Sequence, residues 1–222
     1  MRLYFIVTTS LIEENYEKRK EQYCKGIDTL FEMLKLRKIE DIASVIIVEN
    51  TTENGKPTFL DKYNKKKNCV VFYTRNHFLN TKNKGIKELY DVRNCIEKFN
   101  IRDNDFIVKM TGRYLLDLNN SPFFDALCNM LNSSLPNQPK YEAIIKYGWF
   151  GCPSNVKQED CITGLIGMTA KNIMNIVIPM ENECVEWKWA KQTFHILDEK
   201  IFKLTDNIGV YNVSLCNEYH LL

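Results

Sequence analysis

Apolar residues arrive in two rhythms along this chain. Leu3 to Val7, Ser44 to Val48, Cys69 to Tyr73 and Phe106 to Met110 are short, nearly continuous apolar runs, the pattern of strands buried on both faces. Between them the apolar positions fall at helical spacing. Tyr23, Ile27, Leu30, Phe31 and Leu34 share one face of a helix, and Ile86, Leu89, Tyr90, Ile96 and Phe99 share one face of another, from about Asn83 to Phe99. Thr8-Thr9-Ser10 closes the first run, and Glu49-Asn50 closes the second before a turn-rich loop through Asn54-Gly55-Lys56-Pro57. Strand, helix, strand, connection, strand, helix, strand is the alternation that builds a mostly parallel sheet with helices on both faces.

The rhythm loosens after Tyr114. A short helix is expected around Phe123 to Leu131, then a loop near Asn132 to Lys140, strands at Ala143 to Tyr147 and Ile162 to Met168, a helix from about Val185 to Leu197, and a last strand near Ile208 to Leu215. With 222 residues and no linker or repeat, one α/β domain is expected over 1–222. Its first part, 1–115, has the form of a nucleotide-binding layer. The second, 116–222, completes the sheet and shapes an acceptor pocket.

Composition narrows the partners. Thirty basic residues stand against 28 acidic ones, a net charge of +2, which excludes a dedicated nucleic-acid binder. The eight cysteines show no CxxC pair and no histidine at finger spacing, and several lie inside apolar runs, so they are expected to be reduced thiols in a cytoplasmic protein. The first apolar run is too short for a signal segment or a membrane span.

The candidate chemistry sits at strand ends, where open α/β sheets collect ligands. Lys109-Met110-Thr111-Gly112-Arg113-Tyr114 carries a strand into a glycine turn that sets Arg113 at its carboxyl end, a placement that suits a phosphate or diphosphate. Lys109 itself stands in an otherwise apolar strand, which implies either a ligand or a salt bridge. Asn83-Lys84-Gly85 opens a helix whose amino end favours anions, with Asn83 also placed to act as an ordinary cap. Thr8, Thr9 and Ser10, with Glu49 and Asn50, are placed to meet a base or ribose, or to serve as caps and loop starts. Glu183 and Glu186 lie three apart at a helix start, where they supply candidate base carboxylates or dipole partners. Trp149 and Trp187 could stack on sugar faces or pack in the core.

Together these residues resemble nucleotide-sugar-dependent glycosyltransferases of the GT-A type, especially short members from large DNA viruses and bacterial polysaccharide clusters. The features that carry the resemblance are the threonine-rich end of strand one, Asn83-Lys84-Gly85, the Lys109–Tyr114 segment, and Thr163-Gly164 followed by an acidic helix start. It implies a GT-A-like sandwich, a nucleotide-sugar donor (UDP-linked first among them) and a glycan or other hydroxyl acceptor. By the same resemblance Thr8 to Ser10, Glu49, Asn50, Asn83 to Gly85, Lys109, Thr111, Gly112 and Tyr114 fall on the donor side, with Arg113 at the leaving diphosphate. Glu186 or Glu183 falls at the base, and Trp149, Thr163, Gly164 and Trp187 on the acceptor side. The family's Asp-x-Asp for a divalent metal (Mn or Mg) is replaced here by Thr111-Gly112-Arg113, and Asp103 and Asp105 precede the strand, so metal-independent catalysis is the expectation. The rival readings are a sugar nucleotidyltransferase, whose glycine-rich loop after strand one is missing here, and an inactive nucleotide-sugar binder or interaction module.

Overall fold

The computed structural model describes residues 1–11, 16–52, 56–133, 140–148, 157–213 and 219–222. Seven strands form the main sheet, in the order β3-β2-β1-β4-β7-β6-β8. These are β1 (Leu3–Thr9), β2 (Ala43–Glu49), β3 (Cys69–Tyr73), β4 (Phe106–Thr111), β6 (Ala143–Ile145), β7 (Leu165–Thr169) and β8 (Ile201–Lys203). β3, β2, β1 and β4 run parallel, β7 runs antiparallel between β4 and β6, and β8 is parallel to β6. A smaller antiparallel sheet joins β5 (Leu115–Leu116), β9 (Val210–Val213) and β10 (Tyr219–Leu221). The expected last strand therefore belongs to this second sheet, and β8 closes the main one instead.

Alternation along the strands sorts the core into two layers. Leu3, Phe5 and Val7 of β1 face one way, against α1 (Tyr16–Leu36) and α3 (Pro122–Ser133). Tyr4 and Ile6 face the other way, against α2 (Lys84–Lys98), α4 (Ala170–Met174) and α5 (Val185–Gln192). Phe5 stacks on Phe124 of α3 with ring centroids 5.8 Å apart. Each such fully buried aromatic contributes about 1.5–3 kcal/mol relative to exposure. α5 is shorter than its apolar spacing suggests, because the chain tightens to a 3₁₀ turn over Thr193–His195.

Two close approaches tie α1 and α2 to the strand ends. A Cβ added at Gly26 of α1 would stand 2.2 Å from the Gly112 carbonyl oxygen, so only glycine lets α1 press against the turn after β4. Asn83 caps α2, its Oδ1 accepting from the amides of Gly85 and Ile86 at 3.0 and 3.3 Å. Among the described residues no helix is long and apolar enough to cross a membrane, and the six described cysteines are unpaired.

Candidate active site

Strand order reverses between β1 and β4, and a cleft of about 820 Å³ opens over the carboxyl ends of those strands. Thr8, Thr9 and Ser10 follow from β1, Asn50 from β2, and Thr111, Arg113 and Tyr114 from β4. Because β7 is antiparallel, its amino end reaches the same side and delivers Thr163 and Gly164 to the wall. The ring of Tyr114 lies on Gly164, where an added Cβ would come within 2.0 Å of Cε2. α2 contributes Lys84, Gly85, Glu88 and Asp91, the start of α5 contributes Cys184 to Glu186, and α1 contributes Arg19 and Tyr23 from the opposite face of the sheet.

The switch point is braced by an ion pair. The Lys109 side chain, on a residue only 1% exposed, faces the α2 layer. Its ammonium donates to Glu88 Oε2 at 2.9 Å, to the Thr163 carbonyl at 2.7 Å and to Thr111 Oγ1 at 3.2 Å. An ammonium has three donors, so these contacts use all of them, and Lys109 does not line the cleft. In this structure Lys109, expected on the donor side, braces the strand ends and stands outside the cleft lining. Glu88 Oε1 also accepts from Thr8 Oγ1 at 2.5 Å, which links β1, α2 and β4.

Glu49 likewise stands outside the cleft lining. Fully buried, its carboxylate accepts from the amides of Leu11, Thr51 and Thr52 at 2.8–3.1 Å and from Thr51 Oγ1 at 2.5 Å. It fixes the loops after β1 and β2. Gly112 sits below the cleft, its amide donating to the Thr8 carbonyl at 3.0 Å, while Thr9 Oγ1 turns to the Val48 carbonyl at 2.9 Å.

Below Asn50 lies a buried polar cluster. Asp91 accepts from Asn50 Nδ2 at 2.6 Å, Thr74 Oγ1 at 2.6 Å and Asn76 Nδ2 at 2.7 Å. Burial pushes its carboxyl up to about 6, against the pull of those three hydrogen bonds, and the charge of Glu88 adds to the rise. Asn50 is 7% exposed, and its buried Oδ1 has no donor among the described residues.

At the start of α2 the protein's own carboxylate occupies part of the anion-favouring end. Glu181 accepts from the amides of Lys82 and Asn83 at 2.6 and 3.1 Å and from the Thr81 hydroxyl. These donors hold its carboxyl below the usual range. Gly85 has a steric reason to be small: an added Cβ would meet Val185 Cγ1 at 2.3 Å, so glycine lets α5 pack on α2. Lys84 remains exposed at the cleft rim.

Across the cleft, Glu186 Oε1 accepts from Thr163 Oγ1 at 3.3 Å and Oε2 from the Cys184 thiol at 2.8 Å. Glu183 is instead paired with Lys188 at 2.7 Å and accepts from the Met180 amide at 2.7 Å, contacts that lower its carboxyl. Trp187 is 47% exposed and stands outside the cleft lining, while Trp189 packs in the core. Trp149 lies outside the described residues. Asp105 accepts from the amides of Arg2 and Arg102 at the amino end of β4, the far end of the strand from the cleft. The Asp103/Asp105 pair therefore does not fit a metal at this site. Among the described residues no group of three His, Cys, Asp or Glu side chains is arranged to hold one.

Several lining residues escaped sequence reasoning. Glu88 and Asp91 follow Lys84 at i+4 and i+7, a polar stripe beside the apolar face of α2, and that spacing was the available signal. Arg19 precedes the core-facing Tyr23 by one turn. Burial raises the Tyr23 phenol, and the charges of Arg19 and Arg113 both pull it back, which places the two cations near one buried ring.

Comparison of the whole chain with solved structures gives the fold its class, which is GT-A-like. S. aureus TarS 1-349 in complex with UDP-GlcNAc superposes with a TM-score of 0.56 at 13% identity, over 96% of this chain and 58% of that one. The mannosyltransferase PcManGT from Pyrobaculum calidifontis, in complex with GDP-Man and Mn2+, gives 0.53 at 11%, over 92% and 55%. A 4-diphosphocytidyl-2C-methyl-D-erythritol synthase gives 0.54 at 8%, over 98% and 96%. The chain thus spans under two thirds of the first two and nearly all of the third. It resembles nucleotide-diphospho-sugar transferases in fold. No protein-family model and no curated protein sequence matches it.

Proposed function

We propose that this chain transfers a sugar from a nucleoside diphosphate to a hydroxyl acceptor. The observation that carries the reading is the switch-point cleft, which has cations at its rim and walls (Lys84, Arg19 and Arg113) and an oriented carboxylate, Glu186, on the far wall. Arg113 and Lys84 neutralise the leaving diphosphate, an electrostatic task for cations placed where the charge develops. Glu186 takes the acceptor's proton. A UDP-linked donor is favoured by Asn50, whose buried Oδ1 has no donor among the described residues and suits the imide N–H of uracil.

Thermal melting against UDP, GDP, CDP and dTDP, their sugar conjugates, and each with and without manganese tests the reading. A ligand at a hundredfold its Kd adds about 2.7 kcal/mol, roughly 5–10 °C for a chain of this size. Donor hydrolysis should follow, and Glu186→Gln should slow it by about 10²–10⁴-fold. If no nucleotide at millimolar concentration raises the melting temperature, the proposal is wrong. Binding without hydrolysis would favour the inactive binder.

The nucleotidyltransferase reading draws support from the near-complete coverage of the cytidylyl-type synthase. It predicts pyrophosphate release from a nucleoside triphosphate and a sugar phosphate. Thr8-Thr9-Ser10-Leu11 offers neither the glycines nor the basic residues which that chemistry needs after strand one.

A further inference from the structure

We propose that Cys184 is a positioning residue that holds Glu186 in the orientation of a base, an inference that rests on the transferase reading above. Position 184 is the N-cap of α5, where Ser, Thr, Asp or Asn is preferred because its side-chain oxygen accepts an exposed helix amide. Here the residue is cysteine, and its side chain makes no capping bond. The thiol instead donates to Glu186 Oε2 at 2.8 Å. Thr163 Oγ1 holds the other carboxylate oxygen at 3.3 Å.

The carboxylate is therefore gripped on both oxygens, each of which keeps lone-pair capacity for a hydroxyl in the cleft. The grip is continuous with the floor of the site. The Thr163 carbonyl accepts from Lys109, and Lys109 pairs with Glu88, so β7, β4 and α2 all bear on the base. Cys161 supports the same turn from below, its thiol donating to the Glu186 carbonyl at 3.4 Å. Burial and the neighbouring carboxylate push the Cys184 thiol up to about 11, so it stays a donor across the working pH range.

Donor hydrolysis by the full chain, followed in a double-mutant cycle, tests the role. Cys184→Ala should lower kcat about 5–10-fold with KM for the donor unchanged. Cys184→Ser, which keeps a donor, should recover most of the rate. In a Glu186→Gln background Cys184→Ala should cost nothing further, because the two residues act as one unit. Wild-type kcat in Cys184→Ala overturns the inference, and so does an equal loss in both backgrounds, which is what a structural role in α5 would give. A Cys184→Ala protein that fails to fold, judged by circular dichroism, likewise makes the residue structural. If Glu186→Gln alone leaves hydrolysis unchanged, the assignment of the base has failed, separately from the role of Cys184.

Discussion

Replacing Lys109 by Met tests whether the ion pair under the cleft holds the fold together. The substitution keeps length and removes a charge whose three donors are all engaged. The Thr163 carbonyl is buried, and an acceptor stranded there costs about 1–3 kcal/mol. Glu88 loses its counter-charge, but its side chain is 28% exposed, so water recovers part of that loss. Breaking a fully buried pair costs about 3–5 kcal/mol; with this partial exposure and the desolvation that Met avoids, about 2–3 kcal/mol is expected for Lys109→Met. Urea unfolding followed by circular dichroism should show the midpoint falling by roughly 1 M with the slope unchanged. Adding Glu88→Gln should return about 1 kcal/mol, because the stranded charge is then gone. A Lys109→Met protein within about 0.5 kcal/mol of wild type would refute the reasoning and reopen Lys109 as a ligand-facing group.

Arg113→Ala should weaken binding of the preferred nucleoside diphosphate at least about tenfold, as expected for loss of a charge-assisted contact, with the melting temperature of the free protein preserved; unchanged affinity by calorimetry would remove the centre of the site reading. Lys84→Ala should weaken the same ligand at low salt and less at high salt, where screening already weakens the wild type; a loss independent of salt would make its role steric. Asp91 has a folded value raised to about 6 from 3.8, so the native state holds its proton longer than the unfolded chain. Its contribution to stability is therefore present at low pH and lost as pH rises from about 4 to 6. Relative to Asp91→Asn, the wild type should lose on the order of 2–3 kcal/mol over that window, and a difference flat in pH would count against the raised carboxyl.

The sequence by itself determined the layered half of this protein. The apolar runs of β1 to β4 and the helical stripes of α1 and α2 are local periodicities, and each run appears in the structure within a residue or two. The turn at Thr111-Gly112-Arg113 was legible for the same reason, since glycine and strand end are neighbours in the chain. Tertiary structure decided the chemistry's partners. That β7 runs antiparallel depends on pairing residues as far apart in the chain as Phe106 and Thr169, and only that direction brings Thr163 and Gly164 over β4. Lys109 was readable as a lysine needing a partner, but Glu88, Thr111 and the Thr163 carbonyl became its partners only when α2, β4 and β7 met. Asp91 and Arg19 looked like ordinary helix residues until packing buried one and turned the other into the cleft. A strand or helix follows from the spacing of nearby residues. Hydrogen bonds and ion pairs between distant segments are fixed only when those segments pack, which is why the elements were readable here and most of the site was not.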